Sequence, residues 1–256
     1  MVEDDVPAGL GRLWRLPVGG RLGRPAELDV ERVVRTAVDL ARRDGLGGVT
    51  LAKVAKELGY TPMSLYRHVG SKDELFVLMG DFAYGAAPAL DAVPGGWREG
   101  LRQWAIAMRA MYAEQPWLTV LPVSGPPSGP NAVDWMDACL RVLRDTGLGW
   151  GEKVGIQTVL SGYVRHMALM AQHFTEGIRD AGLEQAQVEQ DYGRALAKLV
   201  DPGRFPDAAM LFASDLFESP SQHAGDGPLD EEFDFGLALI LDGIAAEIER
   251  PTRDPA

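Results

Sequence analysis

The sequence predicts an all-α protein with a small N-terminal helix-turn-helix domain built on three helices, followed by a larger helical domain. Apolar residues recur at intervals of three and four along most of the chain, which is the period of amphipathic helices. Glycines, prolines and capping residues mark the ends of these segments. Residues 21–72 carry 10 Lys and Arg against 6 Asp and Glu, whereas residues 73–256 carry 13 against 28.

The composition limits the class of protein. With 256 residues, 46% of them hydrophobic, the chain can form one large or two modest globular domains. Its single cysteine, Cys139, excludes an internal disulfide and fits a reducing compartment. No apolar run reaches the length of about 18 residues that spans a bilayer, and no signal peptide is evident, so we expect a cytoplasmic protein without a membrane partner.

The basic segment lies on an otherwise acidic chain whose formal net charge is -12. An acidic body repels a polyanion and leaves one basic face for productive contact. The distribution of charge therefore favours a nucleic-acid-binding face within residues 21–72. A solvated surface without a binding role is the alternative.

The first helix of the N-terminal domain is predicted to begin after Asp29, its N-cap, and to end at Gly45. One face of this helix is apolar and predicts a buried stripe made of Val30, Val33, Val34, Ala37, Val38 and Ala41. A second helix is predicted between Thr50, its N-cap, and Gly59. Its inward face consists of Leu51, Val54, Ala55 and Leu58.

A third, shorter helix is predicted to begin at Pro62, with Thr61 as its N-cap, and to end at Gly70. Ser71 and Glu74 then have the spacing of a capping box, in which each side chain bonds the backbone N–H of the other residue. They are expected to open a fourth helix. Four short helices within about 55 residues are typical of a helix-turn-helix on a three-helix core.

The third helix is predicted to read DNA. Leu65 and Val69 suffice to anchor it, which leaves its other face for a major groove. Arg67 is the candidate for a bidentate contact with guanine, Ser64 can bond either partner of a base pair, and Pro62 and Met63 can press on a thymine methyl. Four side chains are assigned to phosphates, which position the protein without specifying sequence: Lys53, Tyr66, His68 and Lys72. Tyr66 as a core-edge aromatic and His68 as a packing histidine remain open.

Residues 23–79 resemble the DNA-binding domain of the TetR family of bacterial transcriptional repressors. The matching residues are Thr50, Ala55, Leu58, Gly59, Leu65, Tyr66, His68, Lys72 and Leu75. The resemblance implies an all-helical homodimer that binds a palindromic double-stranded operator and releases it when a small molecule enters the C-terminal domain. A ligand-independent DNA-binding regulator and a helical protein that only binds a small molecule are the alternatives. By position in the motif, the resemblance implies DNA contacts for Thr50, Lys53, Ser64, Tyr66, Arg67, His68 and Lys72. Thr61 and Pro62, at the start of the third helix, complete the predicted DNA-binding set.

We divide the chain into a flexible N-terminal arm, 1–24, a DNA-binding domain, 25–71, and a ligand-binding and dimerisation domain, 72–256. The arm is expected to reach a minor groove or the DNA backbone through Arg12, Arg15, Arg21 and Arg24, with a tail of no role as the alternative. A mobile loop is predicted at 220–228. Gly80 and Gly85 are expected to weaken the helix over 72–86, so that a bound effector can move it.

The segments 153–174 and 231–249 are predicted to form a four-helix bundle with the same segments of a second copy. Both are long helices with broad apolar stripes, which usually require a partner. An isologous dimer would bury these stripes. Burial within the monomer is the competing interpretation.

An effector pocket is predicted from aromatic and methionine side chains of the C-terminal domain, with Tyr163 or His166 as its orienting polar group. The predicted lining residues are Trp104, Met108, Met111, Trp117, Trp135, Tyr163, His166, Met167, Met170 and Phe174. Plain core packing is the alternative for each of them. This part of the chain resembles the tetracycline-repressor branch, but the branch's drug-contacting histidine falls near Pro88 and its magnesium-holding histidine has no counterpart over 118–123. We therefore expect a bulky, partly apolar effector without magnesium.

No enzymatic site is predicted. Cys139 lies within a helical apolar pattern and has no neighbouring histidine in the sequence, which is typical of a small core residue. His166 and His173 are seven residues apart, which is too far for two ligands of one metal ion. We expect neither a cofactor nor a bound metal.

Overall fold

The computed structural model describes residues 7–16, 28–90, 93–123, 125–181, 185–217 and 229–250. These ranges contain α-helices, short 3-10 turns and no β-strand, which confirms the predicted all-α fold. The α-helices of these ranges, labelled α1 to α11 in chain order, are Ala8–Leu13, Val30–Asp44, Leu51–Leu58, Pro62–Val69, Lys72–Tyr84, Gly96–Glu114, Pro130–Val142, Trp150–Ala181, Gln185–Leu199, Pro206–Phe212 and Asp230–Ile248. Within them, no helix is both long and apolar enough to cross a membrane.

Helices α2, α3 and α4 form the core of the helix-turn-helix. Asp29 caps α2 by accepting a hydrogen bond from the N–H of Arg32 at 2.7 Å, as its position in the sequence predicts. The three helices pack on one another, and α2 and α4 also pack on α5. Val33, Val54 and Leu65 are fully buried. Val30 and Leu58, which the sequence placed on the buried faces, are only half-buried, because each lies at an end of its helix.

The turn between α3 and α4 consists of residues 59–61. Gly59 has φ 76° and ψ 26°, a left-handed conformation that glycine adopts without the steric cost of a Cβ. At the other end of α3, Thr50 Oγ1 accepts a hydrogen bond from the N–H of Lys53 at 3.1 Å. The left-handed Gly59 thus ends α3 at the turn, and the Thr50 cap fixes where α3 begins.

The predicted capping box of α5 is only half formed. Ser71 Oγ accepts a hydrogen bond from the N–H of Glu74 at 3.0 Å. The carboxylate of Glu74, however, pairs with the guanidinium of Arg12 instead of reaching back to Ser71. A charged partner binds the carboxylate more strongly than a neutral backbone N–H does.

The glycines of the fourth helix have a different role from the predicted one. The helix ends at Tyr84, and Gly85 follows it with φ 60°, so Gly85 terminates the helix. Gly80 is buried, and a Cβ at this position would lie 2.8 Å from Leu121 Cδ2. Gly80 therefore permits close packing of Leu121 against α5.

The prediction of a flexible arm is wrong for residues 7–16. Part of this segment is helix α1, and Leu13 is buried. Arg12 pairs with Glu74, and Arg15 Nη1 lies 2.7 Å from Glu31 Oε2, so neither guanidinium is available to DNA in this arrangement. The predicted arginine contacts at positions 21 and 24 lie outside the described residues, as does the loop predicted at 220–228.

The chain divides into two compact units, residues 1–168 with 236–256, and residues 169–235. In the first unit, α6 and α7 pack together, and Trp104 meets Trp135 edge to face with ring centroids 6.0 Å apart. In the second unit, three aromatic rings pack together. They belong to Tyr192 on α9, Phe212 on α10 and Phe217 in the turn that follows α10. Helices α8 and α11 each contribute residues to both units.

Candidate nucleic-acid interface and effector cavity

The outward face of α4 is open to solvent. Leu65 and Val69 are fully buried and hold the helix against the core. Pro62 and Arg67 are exposed, and the exposed fractions of Met63 and Tyr66 are 70% and 47%. These side chains together form an exposed face with apolar, aromatic and cationic groups that a partner can cover.

Three hydroxyl groups of the predicted DNA-binding set have different local bonds. Thr50 caps α3 through its side chain, as described above. Thr61 occupies the N-cap position of α4 but makes no capping bond, which corrects the prediction made for it. Ser64 Oγ instead donates to the carbonyl oxygen of Thr61 at 2.6 Å. In this arrangement Ser64 can accept a hydrogen bond from a base, and the hydroxyl of Thr61 remains available.

The cations of this face differ in how they are held. Arg67 makes no ion pair with the described residues, and Lys53 Nζ lies 3.9 Å from Asp44 Oδ2. Lys72 Nζ lies 5.0 Å from the centroid of the Phe76 ring. Arg43, by contrast, is bound by the carboxylates of both Asp44 and Glu57. The cations that can contact DNA without breaking a close ion pair are therefore Arg67, Lys53 and Lys72.

The first unit contains a cavity of about 750 Å³ bounded by α5, α6, α7, α8 and the segment 118–129. This volume falls in the range typical of small-molecule sites. Its lining is mostly apolar and comprises Val77, Gly80, Asp81, Tyr84, Trp104, Met108, Tyr112, Leu118, Leu121, Pro122, Val123, Gly125, Pro126, Pro127, Ser128, Gly129, Ala132, Trp135, Met136, Val154, Gln157, Thr158, Ser161, Gly162 and Arg165.

Three residues of the predicted pocket, Trp104, Met108 and Trp135, line this cavity. The remaining seven do not: Met111, Trp117, Tyr163, His166, Met167, Met170 and Phe174. Met111 and Trp117 are buried elsewhere in the core, and Trp117 Nε1 donates to Gln115 Oε1. His166 is exposed, so it does not orient a ligand in this cavity.

Helix α8 presents a different face to the cavity from the one that the sequence suggested. The lining residues of α8 are Val154, Gln157, Thr158, Ser161, Gly162 and Arg165, which follow one another at helical spacing. The apolar stripe through Leu160 and Val164 is buried instead. A signal was present in the sequence, because a row of polar side chains on a long apolar helix indicates either solvent or a polar site.

The polar groups of the cavity are extensively bonded. Asp81 Oδ1 accepts from the N–H of Ala132 at 2.9 Å, and burial raises the pKa of Asp81 above its ordinary value. The hydroxyls of Tyr84 and Tyr112 share a hydrogen bond, and burial is the main reason why the pKa of Tyr112 is raised. Arg165 Nε donates to the carbonyl oxygen of Thr119 at 2.9 Å.

The described residues show neither a reactive thiol nor a cluster of metal ligands. Cys139 is buried, and burial raises the pKa of its thiol to about 12, which keeps it protonated and unreactive at neutral pH. Within the described ranges, no three His, Cys, Asp or Glu side chains come together as metal ligands.

Known proteins resemble the chain along most of its length. Residues 33–79 match the family model described as bacterial regulatory proteins, tetR family, and residues 88–248 match the tetracyclin repressor-like C-terminal domain. The HTH-type transcriptional repressor DrrR1 of Streptomyces coeruleorubidus is 36% identical over 242 residues, which cover 94% of this chain and 86% of that protein.

Solved structures resemble its fold. Apo ActR from Streptomyces coelicolor aligns with a TM-score of 0.70 and 26% identity, over 88% of this chain and 100% of that one. ActR in complex with actinorhodin aligns with a TM-score of 0.68 and 28% identity, over 87% and 97%.

Proposed function

This chain belongs to the tetR family of bacterial regulatory proteins, and from this premise we propose that it is a ligand-responsive transcriptional repressor. It binds a palindromic operator as a homodimer and releases it when an effector enters the cavity of the first unit. The observation that carries this function is the open face of α4, where an exposed Arg67 has no ion pair among the described residues.

The DNA contacts divide into two kinds. Arg67, Ser64 and the ring of Pro62 read base edges in the major groove, because all three lie on the outward side of α4 or at its start. Phosphates are contacted by four side chains, those of Lys53, Tyr66, His68 and Lys72. The N-terminal ends of α3 and α4, next to Thr50 and Thr61, lie close to the DNA backbone. Phosphate contacts supply affinity, and base contacts supply sequence preference.

The dimer forms through residues 153–174 and 231–249. On α8, the exposed fraction of Val159 is 58%, and on α11 that of Phe235 is 69% and that of Leu239 is 56%. Each helix also has a buried stripe, so its exposed apolar residues lie on a second face that a partner can cover. A second copy supplies that cover symmetrically and sets the separation of the two α4 helices at about 34 Å, one turn of DNA.

The effector is a molecule with a large apolar or aromatic part. The cavity has room for a compound of drug size, and tryptophan, tyrosine and methionine side chains make up much of its wall. The solved relative ActR has been crystallised in complex with actinorhodin, which supports a ligand-binding role for this fold.

Induction works through α5, which directly follows α4 and lines the cavity. An effector that binds the released state about 100-fold more tightly than the operator-bound state shifts the equilibrium by about 2.7 kcal/mol per site. This is enough to release an operator bound with moderate affinity.

The deciding experiment selects genome fragments with the purified protein, followed by footprinting and a salt titration of the enriched sequence. We expect a protected palindrome, with an association constant that falls steeply with salt. Failure of a folded dimer to enrich any sequence would contradict the function. A protein that binds random duplexes equally well would show that α4 does not read bases.

A further inference from the structure

The cavity carries a positive charge that no side chain of its described wall neutralises. Arg165 is the one Lys or Arg among the described lining residues. Its Nε donates to the carbonyl oxygen of Thr119 at 2.9 Å and its Nη2 to that of Leu121 at 2.6 Å. Nη1 makes no hydrogen bond within the described ranges, and no carboxylate there pairs with the guanidinium. Two carbonyl oxygens orient this group without cancelling its charge.

The single carboxylate of the described lining is committed elsewhere. Asp81 Oδ1 accepts from the N–H of Ala132 at 2.9 Å, and Oδ2 lies 3.4 Å from Asn131 Nδ2. Burial raises the pKa of Asp81, because a carboxylate that is removed from water loses the hydration that stabilises its negative charge. Asp81 and Arg165 form no ion pair.

The rest of the wall is suited to a flat apolar body. Trp104 and Trp135 stand edge to face, and Met108 lies on the same helix as Trp104. In such surroundings an unneutralised cation attracts an anion more strongly than it would in water. Gln157, about two turns before Arg165 on α8, also lines the cavity and makes no hydrogen bond with the described residues, so its amide is available to the same molecule.

On the basis of the function proposed above, we infer that the effector is a flat aromatic molecule with an anionic group, and that this group binds Nη1 of Arg165. A carboxylate, a sulfonate or an ionised phenol supplies the required acceptor. The aromatic part occupies the region of Trp104, Met108 and Trp135, and the anion lies on the α8 side. Arg165 thereby selects effectors by charge as well as by shape.

The test uses two fluorescent probes that differ by one group. 8-Anilinonaphthalene-1-sulfonate carries a sulfonate, and N-phenyl-1-naphthylamine has the same ring system without it. We expect the sulfonate probe to bind the wild-type protein at least about tenfold more tightly, as a charge-assisted hydrogen bond of about 1.4 kcal/mol or more provides. Competition between the probes establishes whether they share one site. Equal affinities, or binding of the sulfonate without displacement of the neutral probe, would overturn the inference.

Two substitutions assign the preference to Arg165. Arg165→Gln should lower the affinity for the sulfonate probe about tenfold and leave that for the neutral probe unchanged, whereas Arg165→Lys should retain most of the preference. Arg102→Gln is the matched control, because it removes one guanidinium from an exposed position that does not line this cavity. A preference that survives Arg165→Gln in a protein with wild-type circular dichroism would contradict the assigned role.

Arg165 also holds the backbone at Thr119 and Leu121. A glutamine variant that loses the neutral probe as well would therefore report a disturbed wall, and the wild-type comparison of the two probes then decides alone. Operator binding without any probe is measured in parallel. If operator binding fails while the charge preference is present, the proposed function is wrong and the anion site stands. If the operator is bound and the preference is absent, only the anion site is wrong.

Discussion

The carboxylate of Asp81, in α5, accepts a hydrogen bond from the backbone N–H of Ala132, in the first turn of α7, at 2.9 Å. The N-cap residue of α7 is Gly129, which has no side chain that could cap the helix. Asp81 therefore takes the place of an N-cap from another helix. Asn131 Nδ2 strengthens the junction by donating to the carbonyl oxygen of Asp81 at 2.9 Å. Through these bonds, the helix that follows the DNA-reading helix is tied to a wall of the cavity.

Removal of this cap should destabilise the protein. Asp81→Ala leaves the N–H of Ala132 without its partner, and we expect the free energy of unfolding to fall by about 1–2 kcal/mol. Urea denaturation measures this change. Asp145→Ala is the control, since that carboxylate is exposed and its loss should change stability by less than about 0.5 kcal/mol. Equal effects of the two substitutions would show that Asp81 is not a cap.

The stability contribution of Asp81 should also depend on pH. Burial is the largest cause of its raised pKa, so the folded state holds the proton of Asp81 more tightly than the unfolded state does. The stabilisation that comes from this tighter proton binding is fully present below the ordinary pKa of 3.8. It is lost as pH rises through the folded-state pKa of Asp81. Relative to Asp81→Asn, the wild-type protein should therefore lose stability as pH rises above 3.8. A constant difference between the two proteins over this range would contradict the shift.

Gly129 should be intolerant of a side chain. A Cβ at this position would lie 2.1 Å from Asp81 Oδ1, so Gly129→Ala must displace the carboxylate that caps α7. We expect a loss of about 1–3 kcal/mol in the free energy of unfolding, measured by urea denaturation. Gly125→Ala, in the same segment, is a matched control, because a Cβ there meets no atom within 4 Å. If both variants were as stable as the wild type, the close approach of Asp81 would not constrain this position.

The pair formed by Arg12 and Glu74 should attach the N-terminal segment to α5. Arg12 Nη2 lies 2.8 Å from Glu74 Oε2, both side chains are mostly buried, and the contact is bidentate. A double-mutant cycle with alanine should give a coupling energy of about 1–2 kcal/mol. The exposed pair of Arg15 and Glu31 should give less than about 0.5 kcal/mol in the same assay. Coupling energies in the opposite order would contradict this assignment.

Base reading and phosphate binding should separate on α4 and α5. Arg67→Ala should cost about 1–3 kcal/mol on the operator and relax base preference, whereas Lys72→Ala should weaken all duplexes alike and lower the salt slope by about one unit. Titrations of operator and random duplexes at several salt concentrations measure both effects. Arg35→Ala is a control, since Arg35 Nη2 is bound to Glu31 Oε1 at 2.6 Å. Equal losses for Arg67 and Lys72 on both duplexes would overturn the two roles.

Much of the N-terminal domain could be predicted from the sequence because its capping hydrogen bonds and its helical period relate residues only three or four positions apart. The caps at Asp29, Thr50 and Ser71 each bond a backbone N–H three positions further on. The buried stripe of α2 follows from the helical period alone. The family resemblance, carried by residues between 50 and 75, was confirmed by matches along most of the chain.

The side chains that line the cavity were harder to predict. On α8, the sequence offered an apolar stripe and a polar row, and composition favours the apolar one for a pocket. The structure buries Leu160 and Val164 in the core and presents Gln157, Ser161 and Arg165 to the cavity. Which face of a long helix meets a cavity depends on the rotation of that helix against its neighbours, which is set by packing between distant segments.

By itself, the sequence determined the three helices of the helix-turn-helix, the caps at Asp29, Thr50 and Ser71, and the family, because capping, helical period and motif spacing depend on near neighbours. Only the tertiary structure decided which distant partners three side chains meet. Glu74 pairs with Arg12, 62 residues away. Asp81 accepts from Ala132, 51 residues away, and Arg165 donates to Thr119, 46 residues away. For Glu74 the sequence favoured a local partner, the N–H of Ser71, and a distant guanidinium took its place. A local bond forms wherever its spacing allows it, unless folding brings a stronger partner within reach.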